Sequence, residues 1–333
     1  TLKPGRIPCP DSDNDNDSDP ADNSGNNCGA NYLNRLPGKN LRIGELRDSG
    51  NEKLWYAISP GFRDGSLDAV NSLTPTTLTI DGQGEYVAVL LAPGAPLPRQ
   101  VRDASATRSA YLEEENASGT VDLVTFRQRA EGESEEQAKT KFNDRVLGIS
   151  KKEWEDTLLR RVSAEVIKAI NDNKAGAYFP WATPLSAASA PLTFESSAND
   201  PWMGVVNIPR GLLPARKLWP PKPGTQEWPK QQPWQSKNEW HQLFYYVIAP
   251  AFADGKSASC IGPNDCLTLR QGSTQTTNIK ALVVYVGPPR DGQTRPSGKV
   301  SDYLEGAENQ DLDDNVFEVL PAAVSNDRFY VIK

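Results

Sequence analysis

The chain has 333 residues, enough for two domains of ordinary size, each with its own buried core. Hydrophobic residues are 37%, charged residues 24%, and mean hydropathy is −0.58, yet 8 Trp, 10 Tyr and 9 Phe exclude a disordered chain. A net charge of −7 excludes a nucleic-acid or anionic-lipid surface, and no run of 18 apolar residues is present to span a bilayer.

The chain opens on Thr1-Leu2-Lys3-Pro4 without a signal peptide, which reads as a processed start. Four cysteines follow as two close pairs, Cys9/Cys28 and Cys260/Cys266, and neither has zinc-finger spacing. Three pairings are open to four cysteines. The local pairing is the simplest and implies an oxidising, extracytoplasmic compartment; free buried thiols are the alternative.

Between the first two cysteines runs Asp11-Ser12-Asp13-Asn14-Asp15-Asn16-Asp17-Ser18-Asp19-Pro20-Ala21-Asp22. Set on a twelve-residue calcium loop, Asp11, Asp13 and Asp15 take positions 1, 3 and 5. Asp17 offers a carbonyl at 7, Asp19 sits at 9 and Asp22 at 12. Asn16 stands where glycine is usual, and asparagine tolerates the left-handed conformation. No flanking helices are evident, so the expected site is a Ca²⁺ loop rather than an EF-hand; a solvated acidic loop is the plainer alternative.

From residue 54 onward the chain repeats itself. Leu54-Trp55-Tyr56-Ala57-Ile58-Ser59-Pro60-Gly61-Phe62-Arg63-Asp64-Gly65 reappears as Phe244-Tyr245-Tyr246-Val247-Ile248-Ala249-Pro250-Ala251-Phe252-Ala253-Asp254-Gly255. In the same order, Leu78-Thr79-Ile80 answers to Leu267-Thr268-Leu269, Tyr111-Leu112-Glu113 to Tyr303-Leu304-Glu305, and Asn143-Asp144-Arg145 to Asn326-Asp327-Arg328. Each copy reads as a small antiparallel sheet, with strands near 54–59, 77–80, 85–92, 121–127 and 143–149. The second copy places them near 243–249, 266–270, 279–286, 315–319 and 327–332. The Glu/Gln/Lys-rich stretch 129–141 reads as a short helix or a loop.

One helix, about 151–173, joins the copies. Ser150 and Glu153 form a capping box, and Trp154, Leu158, Leu159, Val162, Val166 and Ile170 make an apolar stripe expected to lie on the second copy's sheet. Residues 177–240, rich in Pro and Trp, read as a long loop pinned by its aromatics. They are equivalent in position to residues 5–50, so the first copy starts without its helix, which is expected upstream of Thr1. The division is 1–150 for module one and 151–333 for module two, with its sheet at 241–333.

That plan of helix, variable loop and antiparallel sheet resembles type IV pilins and type II secretion pseudopilins. Gly5-Arg6-Ile7-Pro8-Cys9-Pro10-Asp11, Arg35-Leu36-Pro37-Gly38-Lys39-Asn40-Leu41, Leu54 to Pro60, Ala92-Pro93-Gly94-Ala95-Pro96-Leu97, Tyr111-Leu112-Glu113 and Asn143-Asp144-Arg145 are similar to large minor pilins of Gram-negative bacteria. The resemblance implies an α+β fold of two tandem pilin-like modules. It also implies other pilin subunits as partners, met through an N-terminal helix that is the only membrane contact, and a place in the periplasm, pilus or cell surface.

Catalytic motifs are absent: there is no P-loop, Rossmann glycine pattern, nucleophile elbow or HExxH. His241 is the single histidine, beside Trp240 just before a strand. Trp219, Trp228, Trp234 and Trp240 offer either a glycan surface or loop anchors. The expected function is a non-enzymatic structural or adhesive subunit; the alternative is a free secreted calcium-binding adhesin or glycan-binding protein.

Overall fold

The computed structural model describes residues 4–18, 28, 33–63, 69–103, 107–118, 124–128, 134, 141–190, 192, 200–220, 234–262 and 264–333. The chain is mixed α+β, with several sheets and few helices. It forms two compact units, Thr1–Leu158 and Leu159–Lys333. Most of the stretch 129–141, the pair Asp64-Gly65 and Trp228 lie outside the described residues.

In unit 1 the strands are β1 (Leu33–Arg35), β2 (Trp55–Ile58), β3 (Leu78–Ile80), β4 (Gln83–Ala92), β5 (Val124–Phe126) and β6 (Arg145–Ser150). They order as β1-β2-β4-β3-β5, with β6 on β4. The β3–β4 hairpin closes on Asp81-Gly82 at φ 52° and 70°, the two left-handed residues that a tight turn of the strands' own twist demands. All four residues of β2 are buried because both faces of the sheet are covered. Leu33, Trp55, Ala57, Val89 and Leu91 pack on one side; Leu36, Tyr56, Ile58, Phe62 and Val87 pack on the other.

In unit 2 the strands are β7 (Arg210–Leu212), β8 (Phe244–Ile248), β9 (Leu267–Gln271), β10 (Thr274–Ile279), β11 (Ala281–Tyr285), β12 (Val316–Glu318) and β13 (Arg328–Ile332). They form a four-stranded sheet β13-β11-β8-β7 and a three-stranded sheet β10-β9-β12.

The expectation of a purely antiparallel sheet in each module is corrected. β3 pairs with β5 in parallel, and so does β9 with β12. In both units the later strand returns after a connection far longer than a hairpin, which frees its direction from the antiparallel rule. β1 and β7 were also not anticipated: three residues before a proline carry no readable alternation.

The helix Lys151–Asp172 begins with the capping box foreseen in the sequence. Ser150 N donates to Glu153 Oε2 at 2.9 Å, and Glu153 N donates to Ser150 Oγ at 3.2 Å. Leu158, Leu159, Val162, Val166 and Ile170 are buried. The division between units falls inside this helix, so the stripe does not lie wholly on the second sheet. Trp154 meets Phe62 edge-on at 4.9 Å and donates its indole N–H to Gly5 O at 3.1 Å, both within unit 1.

Candidate metal site and buried polar clusters

Alternating Asp residues fold the loop after Cys9 onto their own side chains. Asp11, fully buried, accepts the Asn14 N–H at 2.6 Å and the Asn16 N–H at 2.7 Å, one on each carboxylate oxygen. Asp13 accepts from Asp15 N at 3.2 Å, and Asp15 from Asp17 N at 2.7 Å. At Asp13 and Asp15 the short acidic side chain bonds the backbone two residues on and builds a turn, while Asp11 reaches three and five residues on. Asn14 and Asn16 take the left-handed conformation, at φ 71° and 70°, as the position of Asn16 suggested.

The loop is fastened to the sheet by Asn16, which accepts the Gly38 N–H at 3.0 Å, and by backbone bonds between Asp11 and Arg35. The result brings one ligand atom each of Asp11, Asp13 and Asp15 within 4.8 Å of one another, a group able to hold a metal ion. Lys39 approaches Asp15 at 3.7 Å and partly offsets the repulsion. Asp17 does not join the trio and bonds Ser18 N at 2.8 Å. Asp19 and Asp22 lie outside the described residues.

Both local disulfides are formed, Cys9–Cys28 and Cys260–Cys266, and they mark an oxidising extracytoplasmic environment. No helix among the described residues is long and apolar enough to cross a membrane.

The repeated Tyr-Leu-Glu and Asn-Asp-Arg segments converge on a buried polar cluster in each unit. In unit 1, Asp144 Oδ2 accepts from Glu113 N at 3.0 Å and Asn116 Nδ2 at 2.9 Å. Glu113 Oε2 accepts from Asn143 N at 3.0 Å and Asp144 N at 3.1 Å, and Glu113 Oε1 from Gln100 at 2.7 Å. Arg102 donates to Gln100 at 2.8 Å and to Gly94 O at 2.7 Å, with its guanidinium 5.2 Å from the Tyr111 ring centre.

Unit 2 repeats this arrangement. Asp327 accepts from Glu305 N at 3.0 Å, Glu305 from Gln293 at 3.1 Å, and Arg295 donates to Gln293 at 2.9 Å and Gly287 O at 2.7 Å while lying 5.2 Å from the Tyr303 ring centre. Gly94 and Gly287 are left-handed, and an added Cβ at either would strike Asn143 or Asn326, each of which brackets a nearby carbonyl. Burial, and then the neighbouring glutamate, push Asp144 and Asp327 each up to about 8. Each pair therefore holds a proton at neutral pH and ties the start of its last strand to the sheet's other connections.

Sequence reading singled out the Glu and Asp of these clusters but missed Gln100, Arg102 and Asn116 with their counterparts Gln293, Arg295 and Asn309. The signal was present as Gln-x-Arg at the matching place in both copies. His241 is 1% exposed, its ring lies edge-on to Trp202 at 4.8 Å, and burial lowers its pKa to about 3, so it is neutral and sealed from bulk water. Trp219 and Trp240 are buried anchors of the long connection rather than an open aromatic surface. No family model, curated protein or solved structure matches this chain.

Proposed function

We propose that the protein is a non-enzymatic structural or adhesive subunit of an extracytoplasmic filament, of the minor pilin or pseudopilin kind. In this reading it is built from two tandem copies of one module. The observation carrying it is the recurrence, in each unit, of the same strand pairings and the same buried Gln-Arg-Tyr-Glu-Asp cluster. A single long helix leading into a Pro-rich connection and then an antiparallel sheet supports the pilin-like plan of the second copy. In this reading its partners are other pilin subunits. The sealed His241 supports a role other than catalysis.

The Asp11, Asp13 and Asp15 trio is proposed as a structural Ca²⁺ loop that orders the segment closed by Cys9–Cys28. Immunogold labelling of sheared surface filaments tests the filament role. Label along or at the tip of fibres supports it, and recovery solely in the free secreted fraction overturns it in favour of a secreted adhesin.

A further inference from the structure

Beside the Asp loop, unit 1 carries a buried cation that its fold does not require. Arg35 on β1 is 9% exposed, and its guanidinium carbon lies 4.0 Å from the ring centres of both Trp55 and Tyr111. It donates a long hydrogen bond, 3.4 Å, to Lys53 O, and the Tyr111 side chain is another hydrogen-bonding and electrostatic partner. Among the described residues no carboxylate lies within ion-pair distance of it. Glu52, which acts on it electrostatically, is paired with Arg102 at 3.3 Å. A charge this far from water normally has a partner, because desolvation otherwise goes uncompensated. Trp55 is 5% exposed, and its indole Nε1 has no hydrogen-bond partner. Both residues line a cleft of about 330 Å³, with the indole Nε1 beneath its surface, and the rim carries Asn34, Asp13, Asp103 and Tyr111.

Unit 2 shows what the fold alone accepts at this place. Pairing sets Arg35 opposite Trp55, and in the same way sets Leu212 opposite Tyr245. Leu212 is fully buried. An aliphatic side chain therefore satisfies the sheet, and the guanidinium in unit 1 answers to something besides packing.

We propose that this cleft binds an acidic saccharide, its carboxylate held by Arg35 and the Trp55 indole N–H and its hydroxyls donating to Asn34, Asp13 and Asp103. Buried donors backed by aromatic rings suit a desolvated carboxylate, with charge-assisted bonds stronger than neutral ones. The rim carboxylates are exposed, so water screens their repulsion, and they accept hydrogen bonds that a sugar supplies and a simple anion does not. This gives the adhesive reading a ligand class but needs neither the filament nor the calcium.

Calorimetry on the isolated protein with calcium chelated, using glucuronate, glucose and acetate in turn, tests it. Glucuronate is expected to bind at least tenfold more tightly than either of the others. Arg35→Leu, which copies Leu212, is expected to erase that preference with an unchanged or higher melting temperature. Trp55→Phe keeps an aromatic ring, removes the indole donor and should weaken glucuronate several-fold. Glucuronate binding no tighter than glucose, or acetate matching glucuronate, overturns the assignment. So does Arg35→Leu leaving the preference intact; should that variant fail to fold, an unchanged preference in Trp55→Phe does the same.

Discussion

Unit 1 and unit 2 reach the same pairings with different side chains, and their differences separate scaffold from specialisation. β2 and β8, β3 and β9, β5 and β12, β6 and β13 take the same partners in the same directions. Where unit 1 runs one ten-residue strand, β4, unit 2 breaks the path between β10 and β11. The β9–β10 pairing shifts register between Thr276 and Ile279, with Asn278 at φ 58°, as β3–β4 shifts between Leu78 and Ile80, but in unit 2 β10 and β11 belong to two sheets. The charged additions, the Asp loop and Arg35, occur in unit 1. The buried cluster is common to both, which places the fold's shared requirement in polar groups rather than in particular apolar residues.

Acidity tests that shared requirement and carries the largest expected effect. Unfolded, Asp144 and Asp327 ionise near pH 4; folded, they keep their protons until about pH 8. Between these values the native state binds more protons than the unfolded one, so stability falls as pH rises through this window and levels off above it. Both carboxyls are raised, so the two pairs act in the same direction on the profile. Around Asp144 the opposing groups are Glu113, which raises it, and Asn116, which bonds it; around Asp327 they are Glu305 and the cation Arg295. Asp144→Asn imitates the protonated carboxyl and should raise the melting temperature at pH 8 with little change at pH 5. A slope equally steep in Asp144→Asn and Asp327→Asn as in the wild type removes the clusters as its source.

The arginines of the clusters give the next effect. Arg102→Ala and Arg295→Ala each strand several buried carbonyls and a glutamine, at a cost of about 3 kcal/mol apiece in denaturant unfolding. Comparable losses would sharpen the equivalence of the units. A tolerated Arg102→Ala beside an unfolded Arg295→Ala would break it.

Strands were legible where segments recur along the sequence: the matched runs from 54 and from 244 fall on β2 and β8, and those from 78 and 267 on β3 and β9. The capping box at Ser150 and Glu153 announced the helix. The parallel pairs β3/β5 and β9/β12 were not legible, since direction after a long connection is decided by tertiary packing and leaves no local pattern. Arg35 was invisible as a site for another reason: a cation in a three-residue strand looks like a surface residue until Trp55 and Tyr111 are seen to enclose it. The Asp loop was readable as an acceptor array, yet part of its spacing serves turns, with each carboxylate bonding the loop's own N–H groups.

The disulfides divide the units again. Cys9–Cys28 spans a separation of 19 residues and Cys260–Cys266 one of 6. Loop-closure entropy then predicts losses of about 3 and about 2 kcal/mol on replacement by serine pairs, the first acting on unit 1 and the second on unit 2. Thermal melts of the two double variants check this, and a larger loss at Cys260–Cys266 would reverse the expected ranking.

Calcium gives the smallest effect and bears on unit 1 alone. Asp11 already spends both oxygens on Asn14 and Asn16, so it fixes the loop, while Asp13 and Asp15 are exposed and supply the adjustable ligands. For a loop site with a Kd of about 10⁻⁴ M, 1 mM Ca²⁺ stabilises by about 1.4 kcal/mol through mass action. Mg²⁺ should substitute poorly, because its tight octahedral shell disfavours an adaptable acidic loop. Replacing Asp13 and Asp15 with Asn should abolish the shift while leaving the Asp11 turn in place, and unit 2 should melt unchanged. Scanning calorimetry of chelated protein with and without 1 mM Ca²⁺ decides the matter. A shift that survives Asp13→Asn/Asp15→Asn puts the ion elsewhere, and no shift at all leaves the loop as a chain of Asx turns fastened by Cys9–Cys28.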